Sequence, residues 1–73
     1  MDIYINGTYR HYKGNLYKVL SIAKHSESLE LLVIYQAQYD DNQIWARPLE
    51  MFLDNVDSGK RFEYIEGGEL LKV

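Results

Sequence analysis

The sequence predicts a single small, mostly β domain, about five short antiparallel strands forming a closed barrel or roll with one helical turn near residues 48–53. Three observations predict it. Short stretches rich in Tyr, Val, Ile and Leu recur along the chain. Turn chemistry separates them at Lys13-Gly14-Asn15, Asp40-Asp41-Asn42 and Asp57-Ser58-Gly59. No segment holds a helical apolar period for more than one turn, so a long helix is not supported anywhere.

The elements follow in order. Thr8 to Tyr12 is β-prone, and the Gly14 turn joins it to Leu16 to Ala23 as a hairpin. Strict alternation puts Leu16, Leu20 and Ile22 on one face of that second strand and Tyr17, Val19 and Ala23 on the other. His25-Ser26-Glu27-Ser28 is a polar break. Leu31 to Tyr39 starts apolar on both faces and becomes alternating, as a central strand does when it reaches a rim. Ile44 to Arg47 is a short strand closed by Pro48, which cannot donate to a ladder. Pro48 also suits the start of a helical turn, and Leu49, Phe52 and Leu53 have the spacing to plug the end of a sheet. Arg61 to Ile65 is the last strand. One domain therefore spans residues 1–73, with its core at about 7–65 and a tail at 66–73 that opens on Gly67-Gly68 and is read as mobile, although Leu70, Leu71 and Val73 could dock.

A chain of 73 residues buries only about 60% of its unfolded surface, so each large apolar side chain matters. There are no cysteines, which excludes disulfides and thiolate zinc sites, and two histidines are too few for a histidine-only metal centre. No metal or cofactor is implied. The seven tyrosines favour stabilisation by aromatic packing. The formal charge of −3 is unevenly spread, +3 over residues 1–25 and −6 over residues 26–73. A general nucleic-acid binder carries a basic excess over the whole domain, so this balance argues against that class. The segment MDIYINGTYRHYKG lacks the basic and apolar regions of a secretion signal, and Leu31 to Tyr35 is too short to cross a bilayer. A cytoplasmic protein with no membrane partner is expected.

Of the polar constellations, His25-Ser26-Glu27 resembles hydrolase vocabulary, but neighbours in one loop do not converge as a catalytic relay must. The plainer reading gives Ser26 and Glu27 to the turn. Asp40-Asp41-Asn42 lacks calcium-loop spacing, and no phosphate loop or dinucleotide fingerprint occurs. Trp45-Ala46-Arg47-Pro48 is the most informative stretch. Period-2 spacing puts Trp45 and Arg47 on one face, and with Tyr35 and Gln36 of the preceding strand they suggest an aromatic, amide-lined recess. The plainer alternative makes Trp45 the main core residue and pairs Arg47 with a carboxylate such as Glu50.

Four ordered blocks, Tyr9-Arg10-His11-Tyr12-Lys13-Gly14, Ala23-Lys24-His25-Ser26-Glu27, Val33-Ile34-Tyr35-Gln36-Ala37 and Trp45-Ala46-Arg47-Pro48-Leu49-Glu50-Met51-Phe52, resemble the small bacterial family catalogued as domain of unknown function 1653. The resemblance runs from about Gly7 to Ile65, with Val56 to Lys60 shorter than the loop usual there. It implies an SH3-like barrel or roll and no assigned activity. The polar members of its blocks are Arg10, His11, Lys13, His25, Ser26, Glu27, Gln36, Trp45 and Arg47.

Three functions are compatible with these residues. The first is a binding module whose site comprises His11, His25, Tyr35, Gln36, Trp45 and Arg47, recognising a small anionic or nucleotide-like ligand or a peptide. The second is a protein-interaction module or homodimer assembled through an open strand edge or an exposed apolar surface. The third, least supported, is an enzyme using His11 or His25 with Glu27 as its orienter.

Overall fold

A computed structural model describes all residues, Met1–Val73. Nine strands and one helical turn follow one another: β1 (Asp2–Ile5), β2 (Thr8–His11), β3 (Leu16–Lys24), β4 (Leu31–Ala37), β5 (Ile44–Pro48), α1 (Leu49–Phe52), β6 (Asn55–Val56), β7 (Gly59–Lys60), β8 (Phe62–Glu66) and β9 (Glu69–Lys72). A five-stranded sheet in the order β5-β4-β3-β2-β8 is the body of the fold, and β1-β9 and β6-β7 are separate pairs. All pairings are antiparallel.

The five principal strands and the helical turn lie where turn chemistry placed them. The expected closed barrel does not form, because outer strands β5 and β8 do not pair with each other. Pro48 ends β5 and serves as the N-cap residue of α1, so the chain leaves the sheet and folds back over its inner face. There Leu49 and Phe52 are buried.

β3 departs from strict alternation. Val19 pairs with Tyr35 and Ile22 with Val33, so Leu20 is one residue more than β4 can match. The resulting bulge reverses the phase of the strand. Tyr17, Val19 and Ile22 all pack on the core, which corrects the placement of Ile22 beside Leu16 and Leu20.

The tail assigned to residues 66–73 contains β9, which pairs with β1 from Asp2↔Lys72 to Ile5↔Glu69. Gly67 and Gly68, at φ +80° and +76°, turn the chain into this pair rather than releasing it. β1 earns its place through Ile3, which has no exposed surface and belongs to the core.

That core is thin and aromatic. Only 10 of 73 residues are buried, so ring packing has to do much of the stabilising. Phe52 and Phe62 stack at 4.1 Å with planes 9° apart, and Tyr9 and Tyr35 each meet Phe52 edge-on at 5.3 Å.

Candidate functional site

Strand register decides which polar residues share a face. Trp45 is opposite Tyr35 and Arg47 opposite Val33, so both point to the inner, core-bearing side of the sheet. β5 is an outer strand, and the core rings lie on β2, β4, β8 and α1. Trp45 therefore stays 52% exposed, and the centre that the plainer reading gave it is held by Phe52 and Phe62.

Arg47 is half-buried. Its Nε donates to the Tyr35 hydroxyl at 3.3 Å, and its guanidinium carbon lies 5.7 Å from the centre of the Phe62 ring. The one ion pair of the structure joins Arg61 to Asp54, by a 2.6 Å bond from Nε to Oδ1 and a 3.2 Å bond from Nη2 to Oδ2. Arg47 thus has no carboxylate within ion-pair distance, though its charge acts on nearby Asp54, and the expected pairing with Glu50 is absent. Tyr35 is buried and orients Arg47 from below.

Further along the same face is His11, paired with Phe62 on β8, its ring 4.9 Å from that phenyl. Its Nδ1 accepts the Lys13 backbone N–H at 3.2 Å, so the neutral ring carries its proton on Nε2. Burial lowers the His11 pKa, and the cations Arg47, Lys13 and Arg61 lower it further. Between His11 and Tyr35 is Tyr17, whose hydroxyl is 2.6 Å from that of Tyr39. Burial, reinforced by this bond, pushes the Tyr17 pKa up to about 12.

Two of the six candidate residues lie elsewhere. Gln36 projects to the opposite face, paired with Ile44, and its Nε2 donates to the Asn42 carbonyl at 3.0 Å. It secures the turn before β5 and lines no recess. His25 organises the loop after β3, its Nδ1 accepting the backbone N–H groups of Glu27 at 3.1 Å and Ser28 at 3.2 Å. Ser28, rather than Ser26, supplies the serine bond of that turn, accepting from the Glu30 N–H. His11 lies beside the start of β3 and His25 just past its end, roughly 25–30 Å apart at the rise of an extended strand. They form no shared site, and Glu27 meets His25 through its backbone and not its carboxylate.

Trp45, Arg47, Tyr17 and His11 therefore lie on one face above the buried Tyr35, as an open ledge and not an enclosed recess. Two concavities exist and neither contains Trp45 or Arg47. The larger, about 470 Å³, is lined by both chain ends together with Leu31, Leu49 and Met51. The smaller, about 320 Å³, adjoins His11 and is edged by Arg10, Lys60 and Glu63. No three His, Asp or Glu side chains gather closely enough to hold a metal ion, and no helix is long and apolar enough to cross a membrane.

Residues 7–64, β2 through most of β8, match the family described as protein of unknown function DUF1653. The chain belongs to this family. A crystal structure of a DUF1653 protein from Bordetella bronchiseptica is 31% identical and superposes with a TM-score of 0.76, covering 93% of this chain and 92% of that one. That coverage exceeds residues 7–64, so the likeness to the second DUF1653 protein extends into the β1-β9 region. Comparison with curated proteins gives no match.

Proposed function

We propose that this DUF1653 chain is a binding module, and that its ledge receives a ligand combining an anionic group with a flat or apolar one. One observation carries the reading: Trp45 and Arg47 share a face, the indole half in solvent and the guanidinium without a carboxylate. A half-buried arginine prefers a forked anionic partner, and an exposed indole next to it loses water when another flat or apolar group covers it. A small anionic or nucleotide-like molecule and an extended peptide both have this chemistry. The antiparallel five-stranded sheet with its helical turn supports an SH3-like roll, and the cysteine-free composition supports a cytoplasmic setting. Separation of His11 from His25 favours binding over histidine catalysis.

The test is a chemical-shift titration of the ¹⁵N-labelled chain with inorganic phosphate, adenosine monophosphate and acidic peptides. The Trp45 indole and Arg47 Nε signals are expected to move with at least one probe, and Trp45→Ala and Arg47→Gln to weaken that probe about tenfold or more. If none of the probes shifts either signal, the ledge is not a binding site.

A further inference from the structure

β5 is an open edge, and its hydrogen-bonding phase can be read from its neighbour. The Ala37 N–H bonds the Gln43 carbonyl at 2.9 Å, and the β4-β5 register continues from that pair without a break. In an antiparallel ladder bonded pairs alternate with non-bonded ones, so Gln43, Trp45 and Arg47 direct their peptide groups at β4. Ile44 and Ala46 direct theirs outward. The Ile44 carbonyl indeed meets only the exposed Gln43 side chain, at 3.2 Å. Pro48 has the same phase as Ala46, so its missing N–H falls on the open side, where the sheet does not need one.

We infer that β5 takes up an extended, acidic segment of another protein as an added antiparallel strand, with a carboxylate opposite Arg47 and, two residues later in the segment, an apolar or aromatic side chain opposite Trp45. This rests on the ledge reading above and deepens it. Ile44 and Ala46 offer two N–H and two C=O groups to the incoming backbone, and antiparallel pairing uses them as two doubly bonded pairs. Trp45 and Arg47 then occupy the non-bonded positions of the new ladder, where facing side chains approach most closely. Both already lie on one face.

Charge selects the occupant and its direction. Arg47 has no counterion of its own, and Asp54 beside it is held by Arg61. At the other end of β5 the Asp40-Asp41 turn repels a carboxylate, so the acidic residue belongs at the Arg47 end. A second copy of the chain fits poorly. On a twofold axis at Trp45, Arg47 would face Gln43 of the partner subunit. An axis at Ile44 would set Trp45 against the polar Gln43 of the partner subunit and Arg47 against Asp41 of the partner subunit, which lies in a turn whose neighbours Asp40 and Asn42 have positive φ and so does not extend the ladder.

The test uses blocked hexapeptides of one composition, Thr-Glu-Thr-Tyr-Thr-Thr and the transposed Thr-Tyr-Thr-Glu-Thr-Thr, in NMR titrations with the whole chain. The first is expected to move the Ile44 and Ala46 amide signals and to bind about fivefold more tightly than the second. Replacing its glutamate by lysine should weaken it about tenfold, and Arg47→Gln should abolish the distinction. N-methylation of the threonine between glutamate and tyrosine removes the N–H that would meet the Ala46 carbonyl, with an expected loss of about three- to tenfold. This arm leaves the folding of the chain untouched. Equal binding of both orders, or indifference to N-methylation, overturns strand addition. If phosphate still shifts Arg47 in that case, the ledge reading survives alone, and if no probe shifts Trp45 or Arg47, both fall. Preference for the transposed order overturns the antiparallel geometry. Concentration-dependent dimerisation in light scattering, with the Ile44 and Ala46 amides protected, makes a second copy the occupant and also overturns the inference.

Discussion

Alanine at Gly68 and alanine at Gly67 make a matched pair of perturbations that reports whether the last eight residues are structure or tail. Both glycines have φ near +80°, a region that carries a penalty of about 1–2 kcal/mol for an L side chain. Their surroundings differ sharply. A β-carbon on Gly67 would meet nothing closer than the Asn6 carbonyl oxygen at 3.8 Å. On Gly68 it would overlap the Ile5 carbonyl oxygen and lie 2.5 Å from the Gly7 nitrogen. Both obstacles are backbone, so neither can swing aside. Gly67→Ala should therefore cost about 1–2 kcal/mol, which in a domain of this size lowers the midpoint of melting by about 4–16 °C. Gly68→Ala should cost that and more, because relieving the clash requires β9 to leave β1 and uncovers Ile3. Thermal melts by circular dichroism, with hydrogen exchange at residues 2–5 and 69–72, read both effects. Two variants as stable as the parent, with rapid exchange in both segments, would show that the chain end is mobile and that the β1-β9 pair does not stabilise the fold.

Three further outcomes are expected. Phe52→Ala removes a fully buried ring stacked on Phe62 and should cost about 3–5 kcal/mol, much of the total for a domain of this size, read as the loss of most of the urea midpoint. His25→Ala leaves the Glu27 and Ser28 N–H groups without their acceptor at an exposed turn, so a loss of about 1 kcal/mol is expected with no change in any ligand titration. A weakened ligand affinity would place His25 in the site after all. For His11 the folded pKa lies below its ordinary 6.5, so the unfolded chain binds the proton more readily. Its stabilising contribution is present above that ordinary value and is lost as pH falls from there through the lower folded pKa. Urea midpoints measured from pH 8 to pH 5 should decline, and His11→Gln should flatten the decline. A parallel decline in both proteins would assign the effect to other groups.

Where the sequence carried local signals, the fold was legible. Gly14, Asp40-Asp41-Asn42 and Gly59 mark the ends of strands, and the backbone there adopts the positive φ their chemistry allows. Pro48 signalled both the end of β5 and the helical turn. β1 also had a signal, since Ile3 and Ile5 alternate before Asn6-Gly7, and Asn6 lies at φ 66°. β9 had none. Glu69-Leu70-Leu71-Lys72 has no period of 2, and its partner is at the other end of the chain. The Leu20 bulge carries no glycine to announce it, so the faces of β3 were unreadable beyond Val19. At the site, alternation alone places Trp45 with Arg47 and sets Gln36 against Tyr35, so the separation of Gln36 was available in the sequence. The approach of Phe62 to His11 and of Tyr39 to Tyr17 was not, because long-range pairing brings them together.

An open edge is usually a liability, and β5 has two of the common safeguards, short length and a terminal proline. Its third is a charge, Arg47, and that charge differs from an ordinary gatekeeper. It is held half-buried by Tyr35 and Phe62 and not left free in solvent, so its position is defined. Between the safeguards, the outward peptide groups of Ile44 and Ala46 flank the only tryptophan of the chain. A residue needed solely for packing would be better used inside a core with so few buried side chains. A fixed cation and an exposed indole, at the two positions where an added strand comes closest, would discriminate between partners in a way that backbone bonds cannot. The arginine that finds no acid on a second copy of β5 is the one that would select a carboxylate on a different chain.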